Sequence, residues 1–507
     1  MDMQNLIASI QGMTPGGNIP SLGGATGGSM EQFQELQKAL QASNYQTDVA
    51  TLTGGGALGV QSLDTAMKTT IQENEHFVLF NRLAKTSATN IVDEYVRQNS
   101  VGGTLGGSTN SQMGVVRSSQ GEYSREIGQV KFLMTLRQVG YVLNIGKNII
   151  EATAAEERNG ALQLLTDAEY LLFHGNAAAS PTQFDGIFAQ LDAAIAAGKA
   201  SSDQVVDLQG AKLDSIEAIS KINMAVGRFG QWGKVTDIFM PLSVQNDLNM
   251  GLDPAFRWAP EGGNTPTLGG HVAKIRLQNG VLQTNQDTFL HDEVHPMTIP
   301  WDGSLDTKYT AAAVANAAVK PTSLTVDASV SDASSQFTAS RAGNYYYAVA
   351  GIDASGAGYS AVTKSSQIAV AAGKKATLTI TASAGGTETG YAIYRGRQDG
   401  TNASSDLRLV AVVAKSGATT TFTDLNRKIP GTISVPLMNL APNADAIGWR
   451  QFQPMTKIPL PFGVGGVPQI SWFQFLFGFL RVTKPKHHGA IINILPSGSL
   501  WRPHTGE

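Results

Sequence analysis

Apolar and polar positions alternate at period two along Val130-Lys-Phe-Leu-Met-Thr-Leu-Arg137, which places Val130, Phe132, Met134 and Leu136 on one face of a strand. A second strand is expected over residues 88–98, Ala-Thr-Asn-Ile-Val-Asp-Glu-Tyr-Val-Arg-Gln. About thirty residues separate the two, among them Gly102-Gly-Thr-Leu-Gly-Gly-Ser-Thr-Asn110, a run too polar and glycine-rich to build a core. A loop of that length in a compact domain is uncommon unless it has a function. Reaching a neighbouring molecule is the use expected of it, which points to an assembly protein and away from a catalyst.

Beyond the second strand the apolar period becomes helical over residues 147–173, with Ala161, Leu164, Leu165, Ala168, Leu171 and Leu172 on one stripe. At 1.5 Å per residue this helix would be about 40 Å long. Gly160 is expected to weaken its middle by roughly 1 kcal/mol relative to alanine, and Gly175 to stop it. Upstream, residues 1–55 alternate glycine-rich patches with one short helix over 31–41 and read as an extended arm. An amphipathic helix over 64–84 carries Phe77, Leu79, Phe80 and Leu83.

Residues 183–300 have a mixed α/β pattern. A helix from Asp214 turns Ile216, Ile219, Ile222 and Val226 inward. Val235-Thr-Asp-Ile-Phe-Met240 is a buried strand stopped by Pro241, a helix covers 242–250, and a further strand spans 271–277 before Asn279-Gly280. The composition changes near residue 303. From about 321 to 431 short alternating runs rich in Thr, Ser, Ala and Val predict an all-β sandwich. Past Pro430-Gly431 the pattern of residues 56–303 returns, with strands over 477–482 and 489–495 expected to pair. The sandwich therefore reads as an insertion into a host domain.

At 507 residues the chain can hold two or three domains. Only 15% of residues are charged, well below the usual quarter, which fits a surface covered by other subunits or one rich in small polar residues. A net charge of −3 gives no global case for binding nucleic acid or an acidic membrane. With no cysteine, disulfides, thiolate metal sites and a cysteine nucleophile are excluded. The start Met1-Asp-Met-Gln-Asn-Leu lacks a secretory pattern, and Trp472-Phe-Gln-Phe-Leu-Phe-Gly-Phe-Leu480 is too short to span a bilayer as a helix. A soluble protein made in a cytoplasm is expected.

Arm, helix, strand, long loop, strand, long helix, α/β region and closing strands, with the residue patterns at 171–176 and 476–495, resemble the major capsid proteins of tailed bacteriophages, which have the Hong Kong 97-type fold. The resemblance implies an α+β chain with an N-terminal arm (1–55), a capsid-fold domain in two parts (56–318 and 432–507) and an inserted immunoglobulin- or fibronectin type III-like sandwich (319–431). It makes 99–126 the extended loop, 147–173 the spine helix and the mixed region the axial domain. The strand order of the sandwich looks permuted. Implied partners are the chain itself, in hexamers and pentamers of a closed shell, with scaffold, portal and cement proteins. Double-stranded DNA would be packaged inside without sequence-specific binding, no membrane is involved, and the location is the virion, assembled in the bacterial cytoplasm. Some family members cross-link through a lysine on the extended loop. No Lys occurs between Asn99 and Val130, so that chemistry is not expected. Arg97, Arg117, Glu122, Arg125 and Glu126 are the candidate inter-subunit contacts, each exposed pair worth only about 0–1 kcal/mol. Alternatives are a tail or baseplate component, a surface adhesin, and a carbohydrate-active enzyme with an accessory sandwich.

No catalytic, cofactor or metal residues are assigned. His174 reads as a helix-dipole partner, and His487-His488, lacking a third ligand, as a solvated turn. Glu73, Glu75 and His76 form a wet helix face, and Gly463-Val-Gly-Gly466 does not fit a phosphate cradle. Tyr345, Tyr346 and Tyr347 are either core or a sugar platform. Lys484, Lys486 and the paired histidines form a small basic cluster, either solvated or facing DNA.

Overall fold

The computed structural model describes residues 77–146, 151–252, 272–299, 311, 316–356, 359–463 and 466–505. The arm over 1–55, the helix over 31–41, most of the helix over 64–84 and residues 147–150 lie outside them.

A four-stranded sheet forms the first layer. Its order is Ala84–Ser87, Ile447–Pro459, Gln469–Val482, Lys131–Gly140, parallel at the first pairing and antiparallel at the others. The long helix, Ala152–His174, lies across one face and is about 35 Å long. Leu164, Ala168, Leu172 and Phe173 are buried in the core beneath it, with Leu165 and Leu171 half-buried. Gly160 has a packing role that its helix propensity does not show. A Cβ there would lie 1.7 Å from Gln474 Oε1 and 3.2 Å from Arg137 Cγ, so glycine lets the helix approach the sheet.

The strand over 131–140 has the expected period, and beyond the buried Val130 the apolar face is the exposed one. Phe132, Met134 and Leu136 are exposed, whereas Leu133, Thr135 and Arg137 turn toward the helix side. Thr135 and Arg137 both hydrogen-bond Gln163 of the helix, at 3.2 and 2.6 Å. Period two says which side chains share a face, and the helix then covered the other one.

A six-stranded mixed sheet forms the second layer: Val205–Asp207, Gly489–Ile494, Ile433–Met438, Asp237–Met240, Gly280–Gln286 and Lys274–Leu277. Helices Glu217–Phe229 and Leu242–Gly251 contribute Ile219, Ile222, Val226, Val244 and Leu248 to its core, while Ile216 is exposed. The two late strands do not pair with each other. Gln469–Val482 lies in the first sheet and Gly489–Ile494 in the second, with the single turn Pro485–His487 redirecting the chain between them.

Residues 323–424 build two main sheets of their own, besides the short antiparallel pair Gly343–Tyr345 and Ile368–Val370. One runs Thr363–Lys364, Tyr347–Ile352, Gly390–Arg395, Arg408–Ala414, and the other Thr419–Asp424, Ala376–Thr381, Ser323–Asp327. Leu324, Leu378 and Ile380 of one sheet share a core with Tyr347, Val349, Tyr391 and Ile393 of the other. Within that core Arg395 pairs with Asp424 at 2.5 Å and lies over the Phe337 and Tyr345 rings. This sandwich is docked on the rest of the chain. Asn176 Nδ2 donates to Val412 O at 3.2 Å, Thr389 Oγ1 to Ala179 O at 2.7 Å, and Gln398 N to Pro503 O at 2.8 Å.

Candidate subunit-contact surfaces

The long loop is a two-stranded antiparallel hairpin, Val92–Ser100 against Glu122–Gln129, with residues 101–121 at its tip. A lone hairpin is marginally stable in water, so its base has to be held. Asp93 is gripped by two guanidinium groups, Arg450 at 2.7 Å and Arg481 at 3.3 Å. Arg481 also stacks on Tyr95, whose hydroxyl donates to Val482 O at 3.3 Å. On the other strand Glu126 meets Lys199 at 2.6 Å and Arg97 at 3.5 Å. Partial burial would raise the Glu126 carboxyl, but the Lys199 ammonium, Arg97 and the Ser124 hydroxyl together hold it below the usual range. Tyr95, Arg97, Glu126, Lys199 and Arg481 line a cleft of about 500 Å³ between the hairpin base and helix Ile187–Ala196.

The five residues picked as contacts from the sequence therefore separate into two sets. Arg97 and Glu126 pair with each other at the base, and Arg125 pairs with Glu94 at 2.5 Å across the hairpin. Arg117, on the tip, and Glu122, at the start of the return strand, are exposed. The larger exposure here is apolar: Val96, Val101, Leu105, Met113, Val115, Val116, Tyr123 and Ile127 all face solvent.

A second apolar surface is the uncovered face of the first sheet. Register places Phe132 opposite Phe477, Met134 opposite Phe475, and Leu136 opposite Phe473, with Ile458 beyond Phe473. Phe132 meets Phe477 edge-on at 4.9 Å, and Phe475 stacks on Phe477 at 4.8 Å. Phe132, Met134, Leu136, Phe473 and Ile458 are exposed and Phe475 and Phe477 half-buried, so much of this row is open to solvent. Large contiguous apolar patches of this kind mark interaction sites. The alternation at 130–137 was the signal for this face, and the sequence did not say which side of the sheet it would be.

The histidines and tyrosines serve packing. His488 is buried, not solvated as expected: its Nδ1 accepts from Asn439 N and its Nε2 faces Ala446 O, both at 3.3 Å. His487 Nε2 contacts Gly230 O at 2.9 Å. Tyr345 and Tyr347 fill the sandwich core, their hydroxyls donating to Arg341 O and Asp424. His174 contacts Phe289 O at 3.0 Å and stacks near His291. Among the described residues no three His, Asp or Glu side chains come together as a metal site, and no helix is long and apolar enough to cross a membrane.

These features define an α+β protein whose main apolar exposures are a hairpin and one sheet face. Neither a family model nor a curated protein matches the chain. Among solved structures it is similar to the capsid of a native GTA particle, at 8% identity and TM-score 0.44 over 88% of this chain and 99% of that one. It is also similar to a structure of Microbacterium phage Oxtober96, at 10% identity and TM-score 0.41 over 89% and 98%. A third is the holo-SrpI encapsulin complex from Synechococcus elongatus PCC 7942, at 9% identity and TM-score 0.36 over 91% and 98%. Likeness at this level leaves the functional reading to the chain's own geometry.

Proposed function

We propose that this chain is the major capsid protein of a tailed double-stranded DNA bacteriophage, with a Hong Kong 97-type fold, tiling an icosahedral head as hexamers and pentamers. The observation that carries the reading is the hairpin. It is locked at its base by Asp93 and Glu126, yet among the described residues its apolar side chains Val96, Val101, Leu105, Met113, Val115, Val116, Tyr123 and Ile127 are exposed. A second copy with a bare apolar sheet face supplies the missing contact. Each copy would offer a hairpin and receive one, and a heterologous contact repeated by rotation closes into rings. Arg117 and Glu122 would add pairs at the rim of that contact. Residues 1–55 would be an arm, and the sandwich an immunoglobulin-like insertion facing outward. Scaffold, portal and cement proteins would be its partners during head assembly in the bacterial cytoplasm.

Negative-stain electron microscopy of the largest size-exclusion fraction, with mass measured on the column, tests this. Closed polyhedral shells, or six- and five-fold capsomers, are expected. Open tubes or single rings of another symmetry would replace the reading with a tail component.

A further inference from the structure

Two carboxyl groups meet in the core beside residues 77–83. Glu169, on the long helix, accepts two backbone amides from the segment 77–83: Leu79 N donates to Oε1 at 2.7 Å and Phe80 N to Oε2 at 2.8 Å. Both bonds favour Glu169 as the carboxylate. Asp287 follows strand Gly280–Gln286, and its buried carboxyl interacts with that of Glu169. Its Oδ1 accepts Phe289 N at 2.9 Å, whereas its Oδ2 is buried with no protein donor. Two buried acceptors in contact require a proton between them, and Asp287 is the member with an oxygen free to carry it.

The surrounding charges offer little relief. From the 77–83 segment, Arg82 bonds Asp237 of the neighbouring strand at 2.6 Å and also reaches Asn285. From the 287–295 loop, Asp292 accepts Ser243 Oγ at 2.6 Å, Glu293 pairs with Arg408, and His291 stacks on His174 of the long helix. Tyr170 of the same helix lies against both histidines, and Lys85 sits over the Phe80 ring.

We propose that Glu169 and Asp287 share one proton and form a pH-sensitive latch on residues 77–83, closed while the proton is held and loosened when it leaves. Burial pushes Glu169 up to about 7 against the pull of its two amide donors, and burial with the facing Glu169 charge pushes Asp287 well above the usual carboxylate range. Once the segment opens and water enters, both carboxyls return to ordinary values. The closed form therefore binds more protons than the open one. The latch is fully effective below the ordinary carboxylate range and weakens as pH rises, until the closed pair has itself ionised.

Hydrogen–deuterium exchange on the full chain tests this, following the peptide that holds the Leu79 and Phe80 amides and correcting for intrinsic rates. Between about pH 5 and about pH 7 protection is expected to fall roughly tenfold per pH unit. In Asp287→Asn the side-chain amide donates to Glu169 without titrating, so protection should stay flat over the same range. Wild-type protection independent of pH, or the same slope in Asp287→Asn, would overturn the proposal. Infrared spectra of wild type need no variant to fold. At neutral pH they should contain the carbonyl stretch of a buried protonated carboxyl, and its absence would also overturn the shared proton.

Discussion

Gly128 on the return strand of the hairpin lies directly over Phe479 of the central sheet: a Cβ there would stand 2.2 Å from the ring's Cε2. The ring is buried beneath the hairpin, so glycine lets the hairpin base come down to where Asp93 reaches Arg450 and Arg481.

Gly128→Val is therefore expected to lift the hairpin base from the sheet at a cost of about 1–3 kcal/mol. Thermal unfolding should show the loss, and assembled particles should fall more than soluble chain. Unchanged melting together with unchanged assembly would show that the hairpin base has another support.

Met134→Glu separates stability from assembly. Met134 is exposed in the isolated chain, so the change should alter folding by no more than about 0.5 kcal/mol. If a second copy covers the aromatic row, the buried carboxylate should abolish particles while the monomer melts normally. Particle formation at wild-type yield would remove this face from the contact.

His488 sets an acid limit opposite in sign to the Glu169–Asp287 pair. Its Nδ1 accepts the Asn439 amide, which only the neutral ring can do, and burial pushes it down to about 4, with a smaller contribution from His487. Stability from this group is complete above the unfolded value near 6.5 and is lost as pH falls toward the folded one. The loss is about 3 kcal/mol in all. Denaturant titrations at a series of pH values should show it, and His488→Gln should flatten that acid limb.

Local chemistry was legible in the chain. The period over 130–137, the helical stripe ending at Phe173, the strand ending at Pro241 and the short alternating runs after residue 321 all correspond to elements found. Each follows from steric preferences of neighbouring residues. Of the candidate contacts, Arg97, Arg125 and Glu126 have partners within the chain that sequence spacing does not show, because those partners meet only once the hairpin is folded and seated.

The sequence by itself determined which side chains share a face and where the chain turns, since period and turn chemistry act over a few residues. Tertiary structure alone decided which face was covered. It exposed Phe132, Met134 and Leu136, sent the strands before and after Pro485 to different sheets, and turned Gly160 into a close-packing site. It also brought Glu169 and Asp287, far apart in the chain, together in the core, where burial denies both carboxyls water and raises them above the ordinary range.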